Sequence, residues 1–279
     1  MKRIAVTGAS GGIGRAVAVR FAGPDTHIDI CARNTEELAL TADLCRRKGA
    51  SVRITAFDMR DREALIQWTT KITADGGLDC LFCCAGVSSG VHPQSSYVQP
   101  EYRDDLIREL EVNAVSSILC VNEAVTRMQA VKKPEHHFQV GMVASLAAMT
   151  GLPGSPGYSA SKAAVRTYGK ALRRLVADDN IGVTVFLPGF VESSMSRRYQ
   201  GAKPSLISTE RAAEIIVKAL ERNSGEVAFP THLVWGIRLL NCLPECLQPV
   251  FLKGFFFTVE PDAESRRNEE ENSQKGRGV

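Results

Sequence analysis

Seven short apolar runs punctuate the chain, at residues 3–7, 27–32, 51–57, 78–84, 138–143, 181–187 and 225–230. Runs of this length, bounded by glycine, proline or polar clusters, read as strands buried on both faces. Between them apolar positions recur at helical spacing, over 15–22, 35–48, 61–73, 101–130, from 158 onward and over 208–221. Strand and helix alternate at the rhythm of βαβ units, which predicts an α/β fold built on a doubly wound parallel sheet. The alternation ends near residue 230. Residues 231–260 are apolar but interrupted by Arg238, Pro244, Glu245, Pro249 and Lys253, and residues 261–279 are charged. The expected organisation is one domain over 1–230, an apolar helical extension over 231–260, and a disordered tail over 261–279.

Composition changes this picture little. A chain of 279 residues with 44% hydrophobic and 23% charged residues can bury one large α/β core. The net charge is +3, and from Glu260 onward there are six acids and four bases, so the body carries about +5. Without a basic block interleaved with aromatics, no nucleic-acid partner is expected. Eight cysteines show no zinc-like spacing. Cys80, Cys83 and Cys84 sit in a strand run, while Cys242 and Cys246 have no histidine placed to complete a site. Buried thiols in a reducing, cytoplasmic setting are expected, with no metal. His136-His137 reads as a strand-entry surface pair. The chain enters a strand pattern at residue 3 or 4, so no signal peptide is expected.

A parallel sheet binds ligands at the C-terminal ends of its strands, and candidate chemistry collects there. The first run ends in Gly8-Ala9-Ser10-Gly11-Gly12-Ile13-Gly14, followed by a helical pattern. Strand, glycine-rich turn and helix N-terminus make a phosphate site, although glycines alone also serve a flexible loop. In such a Rossmann-type site the second strand end meets the adenine ribose. Here it is Ala32-Arg33-Asn34, with no acid, so Arg33 favours a 2′-phosphate and hence NADP(H) over NAD(H). The bland alternative is a solvated strand-end charge. Asn34 or Thr35 can cap the next helix. The third strand ends in Asp58-Met59, where the acid could bond the adenine amino group, while Asp61 is better placed to cap a helix. The fourth ends in Cys84-Ala85-Gly86, where glycine leaves a ligand room. The sixth ends in Pro188-Gly189-Phe190-Val191.

Ser145 follows the fifth run, and Tyr158 and Lys162 stand four residues apart on one helix face. An ammonium beside a phenol stabilises the phenolate and lowers its pKa. A serine hydroxyl at a strand end could orient a carbonyl beside it. A lone pair of this spacing is usually an aromatic and a solvated lysine on a surface helix. Asn113 falls mid-helix, where asparagine is a poor choice unless it faces solvent. Residues 193–207, with Arg197, Arg198 and Lys203, read as a loop able to close over a ligand.

In this order and on these elements, the residues resemble the short-chain dehydrogenase/reductase family over residues 1–230. The motifs are Thr7-Gly8-x-x-x-Gly12-x-Gly14, Asp58, Cys84-Ala85-Gly86 in place of Asn-Ala-Gly, Asn113, Ser145, Tyr158-x-x-x-Lys162 and Pro188-Gly189. The resemblance implies that Tyr158 exchanges a proton with the substrate oxygen. It implies that Lys162 lowers the pKa of Tyr158 and binds the nicotinamide ribose, and that Ser145 positions the carbonyl. Asn113 would hold the helix open around a relay water. Val191 would hold the carboxamide with Ser193 beside it. Homodimers or homotetramers through the helices carrying Asn113 and Tyr158 are implied too. Cys84 removes a side-chain brace of the central strand, but the backbone contacts of Ala85 and Gly86 are expected to survive.

The leading expectation is an NADP(H)-dependent oxidoreductase interconverting a ketone and a secondary alcohol, acting on a small-molecule carbonyl or alcohol that is apolar or acyl. A non-catalytic NADP(H) sensor is one alternative. An extended-branch epimerase or dehydratase is another, favoured by the Gly8, Gly11, Gly14 spacing and disfavoured by the short chain after Lys162. The extension at 231–260 is expected to pack on the domain or on a sister subunit. Peripheral membrane contact, or lining an entrance for an apolar substrate, are the alternatives.

Overall fold

Ile4 and Val6 of the first strand face one layer of the core while Ala5 faces the other, and the central strands repeat this division, as with Phe82 against Leu81 and Phe186 against Val185. The computed structural model describes residues 2–74, 77–93, 98–99, 101–131, 137–252 and 257–267. Seven strands form the main sheet: β1 (Lys2–Thr7), β2 (Thr26–Ala32), β3 (Ser51–Ala56), β4 (Cys80–Cys83), β5 (Phe138–Val143), β6 (Ile181–Pro188) and β7 (Glu226–Phe229). Their order is β3-β2-β1-β4-β5-β6-β7, all parallel, with Val6 paired to Ile30 on one side and Phe82 on the other. The order reverses between β1 and β4. That switch point opens a crevice at the C-terminal strand ends.

Helices cover both faces. One layer packs α3 (Arg62–Thr73), α5 (Ser116–Val131) and α6 (Pro156–Leu175) around Trp68, Leu81, Val140 and Val185. The other packs α1 (Gly12–Phe21), α2 (Thr35–Arg46) and α8 (Thr209–Glu221) around Ile28, Ile30, Phe82 and Phe186. Every strand run is recovered within about two residues of its expected bounds. The helix expected from residue 15 begins at Gly12, so it opens directly on the glycine turn.

The long helix expected over 101–130 is three pieces. α4 (Arg103–Glu109) passes into a π-helical segment (Leu110–Val115) and then α5. Asn113 lies in the π segment and is fully buried, so the solvent-facing reading fails.

The loop expected at 193–207 is anchored. Ser193 and Ser196 form a capping box that starts a short helix, α7 (Ser194–Arg197). Beyond it Tyr199–Gln200 pairs antiparallel with Thr258–Val259, and Val191 bridges Ile207. In the extension, α9 (Thr231–Cys242) turns Val234 into the core with Leu233 and Ile237 against it, and α10 (Gln248–Leu252) follows. The outer face of α9 leaves Trp235 62% and Leu239 69% exposed.

The expectation of a disordered tail does not hold over 261–267. This segment ends in a helical turn and buries Ser265, because Arg108, itself buried, reaches Asp262 at 2.9 Å and Ser265 at 2.9 Å. Residues 268–279, Lys253 and His136 lie outside the described residues. Cys31, Cys45, Cys80, Cys83 and Cys120 are buried thiols, but Cys242, at the end of α9, and Cys246, beyond it, are exposed. No group of metal-ligating side chains exists among the described residues, and no helix there is long and apolar enough to cross a membrane.

Candidate functional site

The crevice at the switch point opens into a cavity of about 700 Å³. It runs from the glycine turn, past Ser145, Tyr158 and Lys162, to an apolar wall made by α9. Gly8 adopts φ +69°, in the left-handed region, and a Cβ there would lie 2.7 Å from the Ala85 backbone. The turn therefore brings its backbone within van der Waals distance of the end of β4. The N-cap of α1 is Gly11, which has no side chain to occupy the first-turn N–H groups. Gly8, Ser10, Gly11, Gly12 and Ile13 all line the cavity. Gly14 instead gives its N–H to the Cys84 thiol, which burial pushes up to about 11.

The brace expected to be missing at Cys84 is supplied by Thr7. Its hydroxyl accepts from the N–H groups of Cys84 at 3.1 Å and Ala85 at 3.2 Å. Gly86 then passes between two polar groups. A Cβ on it would stand 3.1 Å from Asn113 Oδ1 and 3.3 Å from Lys162 Nζ.

Asn113 ties this strand end to α6. Its Oδ1 accepts from Val87 N at 2.8 Å, and its Nδ2 donates to Val87 O at 2.9 Å and Ser161 Oγ at 3.0 Å. Lys162, buried on α6, donates to Val143 O at 3.0 Å and stands 5.7 Å from the Tyr158 ring centre. Burial lowers its pKa to about 8, partly offset by Cys84 and Glu109. Ser145 caps the turn Leu146–Ala148 through Ala147 N and hydrogen-bonds the Tyr158 phenol. The pKa of Tyr158 is raised, not lowered. Burial is the main cause, with Tyr199 adding to it, and the Ser145 hydrogen bond opposes it. The expected depression by Lys162 is absent because the ammonium is turned toward the Val143 carbonyl. The arrangement holds a neutral phenol, bonded to a serine hydroxyl, at the wall of an apolar cavity.

The nicotinamide side of the expected site also converges. Pro188, Gly189, Val191 and Ser193 line the same cavity, although the Ser193 hydroxyl is engaged in its capping box. The adenosine side differs. Asn34 spends its side chain capping α2 at Glu37 N, 3.0 Å away. Met59 is buried in the core. Asp58 is bound by Arg60, at 2.7 Å, and lies 3.8 Å from Arg33. Burial would raise the Asp58 carboxyl, but the Arg60 hydrogen bonds and the Arg33 charge hold it below its ordinary value. Arg33, Asn34, Asp58, Met59 and Ala85 do not line the cavity.

Three groups at the site were not singled out from sequence. Glu109 is buried, accepts from Ser89 N, and has a second oxygen with no hydrogen-bond partner. Burial pushes its carboxyl up to about 8, and Glu101 adds to the rise. Tyr199 bonds Ser88 Oγ at 2.7 Å and lines the cavity. Glu264 reaches back from the tail to Arg33 at 2.6 Å. Only the burial of α4 and the pairing of Tyr199–Gln200 with Thr258–Val259 bring these groups in, so no local pattern marks them.

A dinucleotide-sized crevice at the switch point of a parallel sheet, with a serine–tyrosine–lysine cluster at one end, defines an oxidoreductase of the nicotinamide-dependent class. The residues present fit such a cofactor at the glycine turn, where the start of α1 has no side-chain cap and Ser10, Gly11, Gly12 and Ile13 line the cavity where a pyrophosphate would lie. A family model described as short chain dehydrogenase matches residues 2–203, and the chain belongs to that family. An uncharacterised oxidoreductase of Myxococcus xanthus is 30% identical over 243 residues, covering 87% of this chain and 92% of that protein. Hydroxysteroid 11-beta-dehydrogenase 1-like protein B of Xenopus laevis is 29% identical over 244 residues, covering 85% and 79%. The 3-oxoacyl-[acyl-carrier-protein] reductase FabG of Chlamydia muridarum is 28% identical, covering 70% and 76%. Among solved structures, an actinorhodin polyketide ketoreductase variant with NADPH superposes with a TM-score of 0.69 at 19% identity, covering 82% of this chain and 95% of that one. A short chain dehydrogenase of Mycobacterium paratuberculosis bound to NAD gives 0.66 at 20%, covering 81% and 95%. These two show the fold. The protein is an oxidoreductase of a family that uses NAD(P).

Proposed function

We propose that the protein interconverts a bulky apolar ketone and its secondary alcohol, with NADP(H) as hydride partner and Tyr158 as acid and base. The observation that carries this reading is the meeting of Ser145, Tyr158 and Lys162 on a cavity whose far wall, made by α9, is apolar. The cofactor, when bound, supplies or takes the hydride. The chain supplies the rest. Ser145 Oγ, fixed at the end of β5, orients the substrate oxygen. The Tyr158 phenol, neutral because it is buried, gives that oxygen its proton in reduction and takes it back in oxidation. Lys162, now bonded to the Val143 carbonyl, would stabilise the phenolate by turning its ammonium toward the phenol as the proton leaves. Asn113 fixes Gly86 and α6 relative to one another, which sets the Lys162 position.

The substrate reading rests on the cavity wall. Leu233, Gly236, Ile237, Leu240 and Phe257 contribute apolar surface, and the cavity is large enough for a ring system or a long acyl chain. The steroid and acyl names of two relatives are consistent with that class. The cofactor reading rests on Arg33, on Arg60 beside it, and on the lack of an acid at the end of β2. Replacing Tyr158 by phenylalanine keeps the ring and removes the proton. The expected loss in kcat on bulky ketones is about 10²–10⁴-fold, the range for a general acid. Near-normal turnover by Tyr158→Phe would sink the assignment.

A further inference from the structure

Glu264 is a tail residue held by three guanidinium groups. Arg33 Nη1 donates to its Oε2 at 2.6 Å, Arg60 Nη2 lies 2.9 Å from its Oε1, and Arg108 Nη1 lies 3.4 Å from its Oε2. Arg33 follows the end of β2 and Arg60 the end of β3, the edge where the adenosine ribose is expected. The carboxylate is delivered there by an anchored segment. Thr258–Val259 pairs with Tyr199–Gln200, and Glu260 N donates to Arg198 O at 2.8 Å. Asp262 then pairs with Arg108, and Ser265 Oγ donates to Asp105 at 2.7 Å. A carboxylate with each oxygen on a guanidinium uses the same donors that would hold a phosphate monoester.

We infer that Glu264 is a specificity determinant of the cofactor site, an internal carboxylate occupying the arginines that a ribose 2′-phosphate requires. This rests on the reading that Arg33 faces the adenine ribose. A dianionic phosphate and the Glu264 carboxylate cannot share these arginines without like-charge repulsion, so the phosphorylated cofactor must displace the 261–267 segment. A ribose 2′-hydroxyl carries no charge and can donate to the carboxylate where it stands. Glu264 therefore weakens NADP(H) against NAD(H), and its removal shifts the ratio.

The test is direct binding of NADPH and NADH to the full chain, as wild type, Glu264→Gln and Arg33→Ala. Glu264→Gln is expected to tighten NADPH about tenfold and to change NADH by less than about twofold. An unchanged ratio, or weaker NADPH binding, overturns the inference. Arg33→Ala separates the two layers. If it weakens NADPH while Glu264→Gln does nothing, the cofactor reading stands and this inference alone fails. If Arg33→Ala leaves NADPH binding as it was, the cofactor reading fails and takes the inference with it. Hydrogen exchange on the wild type is independent of how the variants fold. Adenosine 2′,5′-bisphosphate is expected to speed exchange of the Ser265 and Arg266 amides, which now bond Asp262, while 5′-AMP leaves them protected. Equal protection with both probes also overturns it.

Discussion

Glu109 is an acid held in a place that favours its neutral form. Its carboxyl is pushed up to about 8 by burial and by Glu101, against an ordinary value of 4.5. Between those two pH values the folded chain keeps a proton that the unfolded chain gives up. Stability therefore falls as pH rises from about 4.5 to 8. Glu109→Gln removes the titration, and the decline in unfolding free energy over that interval, on the order of a few kcal/mol, should flatten. Urea titrations at pH 5 and pH 8 check this; an equal decline in both proteins would show that other groups cause it. Lys162 has the opposite sense. Its pKa falls to about 8 because burial disfavours the ammonium. If its charge is needed beside Tyr158, kcat/KM should drop above about pH 8 and that limb should move upward in Lys162→Arg, whose side chain stays charged. A profile flat through pH 9 would remove the charge from the mechanism.

At the scale of elements, α9 decides what the cavity accepts. Val234 fixes the helix to the core, which leaves Leu233, Gly236, Ile237 and Leu240 on the cavity side. A Cβ at Gly236 would meet nothing within 4 Å. Gly236→Leu should therefore fold normally and fill part of the cavity. The expected result is a rise in KM for bulky ketones of about 10-fold or more, with small ketones little affected. Equal kinetics on both would mean that the substrate does not reach α9. The π segment at Leu110–Val115 is a second element-level device. It shifts the helix register by one residue, which turns Asn113 inward to Val87 and Ser161.

For the whole molecule, the buried Arg108 joins α4 to the tail. It pairs with Asp105 at 3.2 Å and with Asp262 at 2.9 Å. Burial would raise the Asp262 carboxyl, but the Arg108 hydrogen bonds outweigh it and lower the pKa to about 2. A carboxylate depressed in the folded state stabilises above its ordinary pKa of 3.8, and this contribution is lost as pH falls toward 2. The tail should thus stay docked at pH 4. Removing the cation is more costly than acid, because Arg108→Met leaves the buried Asp105 carboxylate without its guanidinium. The expected loss is about 3 kcal/mol in urea unfolding, and a loss below about 1 kcal/mol would show that the tail is not held by Arg108. Assembly belongs to this scale too. Ile107, Leu110 and Val115 are exposed on the α4–α5 ridge. We expect this ridge to pair with a second copy, giving a homodimer or homotetramer by light scattering, and Val115→Asp to lower the assembled mass. A wild type that scatters as a single chain would end that expectation.

The strand pattern and the glycine turn were legible because both are local. A run of five apolar residues or a Gly8-to-Gly14 spacing needs no partner to be recognised, and the sheet follows from alternation. Ser145, Tyr158 and Lys162 were legible for a related reason, since the strand end and helix face that carry them are set by short-range spacing. Sequence alone thereby determined the fold class, the order of the strands' chemistry along one edge, and the family. The tertiary structure decided what spacing cannot carry. It turned the Lys162 ammonium to Val143, so that burial governs Tyr158, and it buried Glu109 beneath α6. It also folded a charged tail, read as disordered from composition, back across more than two hundred residues of chain to set Glu264 on Arg33. Electrostatic pairs at such separation have no period or motif, and only the packing of α4 against the tail brings their charges within reach.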